Sequence, residues 1–255
     1  MTEPVRETYG DFTSIVGEKP AWVIGGFQLP DGSFWEYREP DAIAVVQNGR
    51  LRVPVRRLTR SHDKIQILDN AKHMFFSSRV FDVPPEGGIA FELDIRSQCN
   101  HTEPGNLYDG FVSFNLLDFT QGGALDWFVG HDRIAPVYAR LPFPGVEAED
   151  AKPMKYFAMF EEHEHEPATR RRVRIAYDRG TDDCRWWLDG EQTWRYTPPV
   201  KFNGFIAALG IMTEIDLSLE KGSTSCHGQG VLGEWSPIEV TTWESGASRP
   251  AELFG

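Results

Sequence analysis

Apolar and polar residues alternate with a period of two in several segments of the chain, and this pattern predicts half-buried β-strands. In Ile89–Arg96, apolar residues occupy every odd position, whereas most even positions are charged. Leu51–Val55 and Val173–Tyr177 alternate in the same way, and Pro54 indicates an edge position because proline cannot donate a hydrogen bond to a neighbouring strand. Phe205–Met212 is apolar on both faces and predicts a central strand that is covered on both sides.

Turn-forming residues separate the strand-like segments. Asp189 and Gly190 stand between Cys184–Leu188 and Glu191–Trp194, and Asp-Gly favours a type I′ hairpin because both central residues need a positive φ. Helical periodicity is weak, so we expect only short helical turns, near residues 62–70 and 145–153. The pattern predicts an all-β protein, an antiparallel two-sheet jelly-roll β-sandwich forming a single domain over residues 20–243, with tails at 1–19 and 244–255.

Composition and charge narrow the classes of function. The chain has 255 residues, a net charge of −12 and three cysteines. The negative charge argues against nucleic-acid binding, which needs a cationic surface, and three cysteines provide no disulfide framework. The amino terminus is polar and no apolar run reaches the length of a membrane span, so we expect neither a secretory signal nor a transmembrane helix. We therefore expect a cytoplasmic monomer or homodimer whose partner is a small-molecule substrate.

Several segments resemble strands of a known family. Arg171–Asp178, followed by Arg185–Glu191, is similar to a strand pair of glycoside hydrolase family 16, in which a strand, a short turn and an aromatic strand lead into Asp-Gly. Gly88–Arg96 and the C-terminal Gly233–Val240 resemble two further strands of that family. The resemblance covers roughly residues 70–242. It implies the concanavalin A-like lectin/glucanase fold, with any small-molecule site on the concave face of the sandwich.

The resemblance also implies which strand corresponds to the catalytic strand of family 16. Those enzymes place their acids in a Glu-x-Asp-x-(x)-Glu strand, and alternate residues of a strand point into the same cleft. The corresponding strand here is Ala124–Val129, in which Asp126 keeps the middle position. Apolar residues, Ala124 and then Phe128 or Val129, stand where the family has glutamates. The resemblance therefore predicts the family's architecture without its glycosidase dyad.

Titratable residues cluster in and after this strand. His131 follows Asp126 closely, and a histidine near a carboxylate can act as a general acid or base near neutral pH. In the acidic run that starts at Glu161, this residue, His163 and His165 share one face if the chain is extended. The run fits a proton-transfer role, a two-histidine metal site or a solvated strand end, and the sequence leaves these alternatives open. We predict catalytic roles without a metal or cofactor for Asp126, His131, Glu161 and His163.

Aromatic and polar residues near these positions are candidates for substrate binding. Trp186 and Trp187 must face opposite sides of their strand, so one packs in the core and the other can line a groove. Asn115 is a polar residue in an apolar run, and it either satisfies a buried backbone group or points into a pocket. The predicted substrate-binding residues are Trp127, Tyr108, Asn115, Trp187, His165 and Glu92.

Three functions fit these observations. The first is an enzyme that performs cofactor-independent acid/base chemistry, such as cyclisation, isomerisation or dehydration of a largely apolar specialised metabolite. The second is non-catalytic carbohydrate binding by a lectin-like protein, in which tryptophan stacks on sugar rings. The third is a divergent glycoside hydrolase or lyase with displaced carboxylates, such as Asp126 with Glu161 or Glu92. The missing dyad and the absence of a secretory signal favour the first.

Overall fold

The structure is a computed structural model, and it describes residues 3–12, 19–29, 31–61, 70–141, 146, 161–215, 220 and 222–254. Helical structure in these ranges is limited to the 3-10 turns Leu107–Asp109 and Gly246–Ser248 and the helix α1 (Ala251–Phe254). No helix within the described part of the chain is long and apolar enough to cross a membrane. The helical turns predicted near 62–70 and 145–153 lie, apart from Asn70 and Val146, outside the described residues.

Strands make up most of the described chain. In chain order they are β1 (Val5–Tyr9), β2 (Trp22–Ile24), β3 (Gly26–Gln28), β4 (Phe34–Glu36), β5 (Val45–Gln47), β6 (Arg50–Val55), β7 (Lys72–Ser77), β8 (Phe81–Asp82), β9 (Gly88–Asn100), β10 (Phe111–Asp118), β11 (Gly123–Val129), β12 (Arg133–Arg140), β13 (His163–Glu164), β14 (Arg170–Asp178), β15 (Asp183–Leu188), β16 (Glu191–Tyr196), β17 (Gly204–Met212), β18 (Gly230–Trp235) and β19 (Ile238–Trp243).

Two large sheets contain nearly all of these strands. Sheet A has the order β16-β15-β14-β9-β18-β6-β5, and β19 pairs with both β9 and β1. Sheet B has the order β13-β12-β11-β10-β17-β7-β2, and β8 pairs with β17. Strands β3 and β4 form a separate hairpin. Neighbouring strands of both sheets run antiparallel, for example β9 with β14 and β10 with β11, and the predicted antiparallel two-sheet sandwich is confirmed.

The main hydrophobic core lies between the two sheets and follows the alternation in the sequence. In β9, Phe91, Leu93 and Ile95 are fully buried in this core, whereas Glu92 and Asp94 point to the opposite face of sheet A. The run Phe205–Met212 belongs to β17, which lies between β10 and β7. Both the predicted sidedness of β9 and the predicted central position of β17 are therefore confirmed.

Two local predictions are also confirmed. Asp189 and Gly190 join β15 to β16 with φ values of 51° and 91°, as a type I′ turn requires. In sheet A, β5 pairs only with Arg50–Arg52 of β6, so Pro54 has a neighbouring strand on one side, where it lies opposite Leu232. A proline, which has no amide hydrogen to donate, is tolerated where a strand is paired on one side.

Two tryptophans tie the sheets together across the core. The indole nitrogen of Trp127, in sheet B, donates a hydrogen bond to the Arg174 carbonyl of sheet A over 3.2 Å. The indole nitrogen of Trp186, in sheet A, donates to the Asp126 carbonyl of sheet B over 3.1 Å. Each bond satisfies a buried donor and a backbone acceptor. Together they fix the backbone of β11 at Asp126 against sheet A.

Both segments predicted as tails contact the sandwich. Val5–Tyr9 of the first forms β1 and pairs with β19. Leu253 of the second is buried against Trp243 and Trp187 on the outer face of sheet A. Alternation within so short a first segment is weak, so its pairing with β19 is not visible in the sequence.

Candidate functional site

A buried apolar layer lies on the outer face of sheet B, the face turned away from sheet A. Alternate residues of β7, β10, β11, β12 and β17 point to this face. Most of these side chains are buried although sheet A packs on the opposite face. The layer consists of Met74, Leu107, Phe111, Leu117, Ala124, Phe128, Ala135, Val137, Ala139, Ala208 and Met212, with Tyr37, Phe76, Tyr108 and Leu141 partly buried at its edges. The side chains of small-molecule sites are of the same predominantly apolar and aromatic kind.

Asp126 is a carboxyl group in the middle of this apolar face. It lies on β11 between Asn115 of β10 and Val137 of β12 and is only 5% exposed. Its Oδ1 atom is buried and accepts no hydrogen bond from any described residue. Burial, followed by the negative charge of Glu214, raises the pKa of Asp126 well above its ordinary value, and Lys72 opposes this shift. A carboxyl with a raised pKa retains its proton to a higher pH than an ordinary aspartate and can act as a general acid.

Three partly buried residues at one end of the face interact electrostatically with Asp126 or with each other. Burial lowers the pKa of Lys72, although the negative charges of Glu214 and Asp126 oppose the shift. Burial raises the pKa of Tyr108, and Glu214 adds to the effect. The backbone also joins this end, since the Glu214 amide donates to the Tyr108 carbonyl over 2.9 Å. Asp126, Lys72, Glu214 and Tyr108 therefore form one titratable group, which we call the carboxyl–lysine cluster.

Asn115 and Ser113 are two polar residues on β10, the strand next to Asp126. The side-chain amide of Asn115 donates to the Ser113 hydroxyl over 2.9 Å and to the Ala208 carbonyl over 3.3 Å. Asn115 lies directly opposite Asp126 across the two strands, so the two side chains share a face. Asn115 therefore satisfies a buried backbone carbonyl, which is one of the two readings of the sequence, and it lies on the same face as Asp126.

Tyr37 covers the β7 edge of the outer face. Its carbonyl accepts from the Met74 amide over 3.0 Å, which anchors the segment after β4 to β7. Its ring contacts Phe76 with a centroid separation of 6.3 Å, and the Lys72 ammonium lies 5.3 Å from the ring centroid. Burial raises the pKa of Tyr37. Tyr37 therefore shields Lys72 from solvent and adds an aromatic wall to the site.

Asp126, Asn115 and Tyr108 are the predicted site residues that lie on this face. Trp127 does not join them. It is fully buried in the core between the sheets because the alternation that points Asp126 outward points its neighbour inward. The prediction that Asp126 and Trp127 line one cleft is wrong for this geometric reason.

His131 and His165 lie together at the β11–β12 turn, at one end of sheet B. The His165 amide donates to the Asp132 carbonyl over 3.1 Å, and its Nε2 atom lies 3.3 Å from the Gly130 carbonyl oxygen. Burial lowers the pKa of His165, and the nearby His131 adds to the shift. The groups that shift the pKa of His165 do not include a member of the carboxyl–lysine cluster.

His163 and Glu161 are not placed with Asp126. His163 lies directly opposite Ile134, whose side chain packs in the core between the sheets, so His163 points to the inner side of sheet B. Asp126 points to the outer side. Glu161 is exposed just before β13. Within the described residues, no group of three or more His, Cys, Asp or Glu side chains is arranged to hold a metal ion.

Glu92 and Trp187 lie on the other sheet. Glu92 points to the outer face of sheet A, where its carboxylate bonds Arg172 and Arg174 at 2.7 and 2.8 Å. Trp187 is on the same face and is buried against Trp243 and Leu253, whereas Trp186 is the core partner. The pairing of Asp126 with Glu92 in one cleft is therefore ruled out, because the two-layer sandwich separates them.

Lys72 and Glu214 were missed in the sequence. Lys72 begins the strand that contains Met74 and Phe76. Because alternate residues of a strand share a face, Lys72 lies on the same side as these two apolar residues. Glu214 follows the apolar run of β17 by two residues and shares the parity of Met212. These were weak signals, since a charged residue at a strand end is ordinarily solvated.

Comparison with known proteins gives a family and a fold. A model described as a family of unknown function, DUF6081, matches residues 9–244. The chain belongs to this family. None of the curated proteins matches it.

Solved glycoside hydrolases share the architecture. A structure described as a native glycosidic hydrolase superposes with a TM-score of 0.53 at 11% identity, covering 96% of this chain and 98% of its own. The β-glucanase of Bacillus licheniformis gives 0.52 at 10% identity, covering 95% and 98%. A GlcNAcα1-4Gal-releasing endo-β-galactosidase of Clostridium perfringens gives 0.51 at 10% identity, covering 82% of this chain and 55% of that one. At such identities the likeness establishes the fold alone, and the predicted concanavalin A-like jelly roll is confirmed.

Proposed function

We propose that this protein is an enzyme that binds a largely apolar small molecule on the outer face of sheet B and transfers protons to and from it without a cofactor. The observation that carries the proposal is the Asp126 carboxyl, which is buried in an apolar layer with Oδ1 accepting no hydrogen bond from described residues. An isolated buried carboxyl destabilises a fold unless it stays protonated. A catalytic role therefore accounts for a carboxyl in the centre of this sheet face better than a contribution to stability does.

The lining supports an apolar substrate. Phe111 and Phe128 stack with their ring centroids 4.3 Å apart, and Met212 and Met74 lie on the next two strands of the sheet, β17 and β7. Methionine is flexible enough to adapt to ligand shape. Polar groups are few and lie near Asp126, as expected for a site that orients a mainly hydrophobic molecule through a few contacts.

Binding of a neutral apolar probe tests the first half of the proposal. N-phenyl-1-naphthylamine fluoresces when it enters an apolar site, and we expect saturable binding to the wild-type protein. Affinity should fall about tenfold between roughly pH 5 and pH 9, because ionisation of Asp126 places a charge in the site. In Asp126→Asn this dependence should disappear, whereas Glu92→Gln, a matched change on sheet A, should behave as wild type. Absence of saturable binding, or the same pH dependence in Asp126→Asn, contradicts the proposal.

Proton transfer is tested by hydrogen exchange of an apolar ketone. Phenylacetone in heavy water exchanges its α-hydrogens through acid/base catalysis, which NMR follows directly. We expect the wild-type protein to accelerate the exchange and Asp126→Asn to lose about 100-fold, the lower range for general acid/base catalysis. Glu92→Gln again serves as the control. Equal exchange rates for wild type and Asp126→Asn contradict a catalytic role of Asp126.

One observation supports a second candidate, a glycoside hydrolase with displaced carboxylates. Glu214 is close enough to Asp126 to raise the pKa of its carboxyl, and glycosidases use two carboxyl groups with pKa values set apart. Incubation with β-glucans followed by a reducing-end assay decides between the two candidates. Release of reducing ends that depends on both Asp126 and Glu214 would favour the hydrolase.

A further inference from the structure

Lys72 is an amine at the edge of the apolar face, and within the described residues Glu214 and Asp126 act on it electrostatically without forming a close ion pair. Within the described residues it makes no hydrogen bond or ion pair, and its ammonium nitrogen lies 5.3 Å from the centroid of the Tyr37 ring. By contrast, Lys201 forms an ion pair with Asp182 at 3.3 Å. A lysine that forms no close ion pair and lies against an aromatic ring is an unusual feature of a protein surface.

We propose that Lys72 is a nucleophile that forms an imine with the carbonyl group of an apolar aldehyde or ketone bound on the outer face of sheet B. This inference rests on the proposed function, because it uses the same site, and it adds the substrate class. Three observations support it: the position of Lys72 directly opposite the layer residue Met212, its contact with the Tyr37 ring, and the presence of Asp126 and Glu214 within electrostatic reach.

The charges around Lys72 suit the reaction. Burial lowers the pKa of the amine, and the described groups that oppose this shift are Glu214, after β17, and Asp126, on β11. Deprotonation gives the free amine that attacks a carbonyl carbon, as in other desolvated lysines. Because Asp126 retains its proton more strongly than an ordinary aspartate, one site holds both a nucleophile and an acid.

The reaction balances without a further reactant. The Lys72 nitrogen attacks the carbonyl carbon, and its proton passes to the oxygen, which gives a neutral carbinolamine. Asp126 then protonates the hydroxyl group, which leaves as water while the nitrogen lone pair forms the carbon–nitrogen double bond. The products are an iminium ion, the Asp126 carboxylate and one water molecule, so the net charge of the site is unchanged. The iminium withdraws electrons and makes the neighbouring carbon–hydrogen bonds more acidic, which links this step to the proposed proton transfer.

Reductive trapping tests the proposal in the full-length protein. We would incubate the wild-type protein with 4-phenylbutan-2-one and sodium cyanoborohydride at neutral pH, then locate adducts by peptide mapping. The chain has seven lysines, and we expect the adduct predominantly on Lys72. Lys72→Met should reduce trapping at least tenfold, and the matched control Lys201→Arg should trap as wild type. Urea-unfolded protein should show no preference for Lys72.

Displacement of N-phenyl-1-naphthylamine in the same samples separates the two proposals. If the ketone displaces the probe but leaves Lys72 unmodified, the imine is excluded and the proposed binding site stands. If the ketone neither displaces the probe nor modifies Lys72, both proposals fail. Adducts spread over the lysines, or concentrated at Lys201, also overturn the assignment. Because the adduct is mapped on the wild-type protein, the result does not depend on the folding of Lys72→Met.

Discussion

The outer faces of the two sheets carry similar kinds of charged residue in opposite arrangements. On sheet A, the carboxylates are paired with arginines: Glu92 bonds Arg172 and Arg174, and Asp94 bonds Arg50 at 2.7 Å. On sheet B, Asp126 stands among apolar side chains and has no such partner within the described residues.

The contrast separates structural charges from candidate catalytic charges. A carboxylate that bonds two guanidinium groups is already neutralised and has little capacity to act on a ligand. A carboxyl that lacks a partner in an apolar layer costs folding free energy and stays reactive. We therefore propose that the chemistry takes place on sheet B, although both faces contain carboxyl groups.

The largest expected effect comes from removing the apolar packing of sheet B. Phe128 is 1% exposed and stacks on Phe111, so Phe128→Ala should lower the free energy of unfolding by about 3–5 kcal/mol. Val46 on β5 is 42% exposed. As a control, Val46→Ala should change the free energy of unfolding by less than about 0.5 kcal/mol. Urea denaturation measures both. A loss below about 1 kcal/mol for Phe128→Ala would mean that the outer face of sheet B is ordinary surface.

A buried histidine between the two sheets should also make the stability of the protein depend on pH, and this effect must be measured separately from those of the outer faces. His73 alternates with Lys72 on β7 and points inward, where its Nδ1 atom accepts from the Glu39 amide over 3.1 Å. Burial lowers the pKa of His73 from 6.5 to about 4, so the unfolded chain gains a proton before the folded protein does. Stability from the neutral ring is complete above about pH 6.5 and is lost as the pH falls towards 4, about 3 kcal/mol in all.

His73→Asn keeps an acceptor for the Glu39 amide but does not titrate in this range. We expect denaturation curves between about pH 7 and pH 4 to show a smaller loss of stability for His73→Asn than for wild type. Identical pH dependence in the two proteins would show that His73 titrates normally and that the acid sensitivity arises elsewhere.

The third effect contrasts Asp126 directly with the paired carboxylates. Because its folded pKa is raised, stability associated with Asp126 is complete below the unfolded pKa and decreases as the pH rises through the folded value. Asp126→Asn removes this penalty, so at about pH 8 it should raise the free energy of unfolding by about 1–3 kcal/mol, the scale of an unpaired buried polar group. At about pH 4 the gain should vanish. A destabilised Asp126→Asn at pH 8 would contradict the assignment.

The smallest effect is expected on sheet A and has the opposite sign. Glu92 is 20% exposed at its side chain and bonds two arginines. Glu92→Gln leaves Arg172 and Arg174 with weaker acceptors and should lower the free energy of unfolding by about 1 kcal/mol near neutral pH. Added salt should reduce the difference. If Glu92→Gln were stabilising, the two faces would not differ in the way proposed.

The sequence by itself determined the strands, their sidedness and the hairpin turn at Asp189-Gly190, because a period of two and turn chemistry are properties of neighbouring residues. It also pointed to Asp126, Asn115 and Tyr108. Tertiary structure decided which sheet each strand joins, and therefore placed Glu92 and Trp187 on the far side of the sandwich. Only the pairing of β7, β17, β10 and β11 brings Lys72 and Glu214 to the same face as Asp126. Alternation tells which residues of one strand share a face, but the order of strands and the burial of that face depend on contacts between residues far apart in the chain.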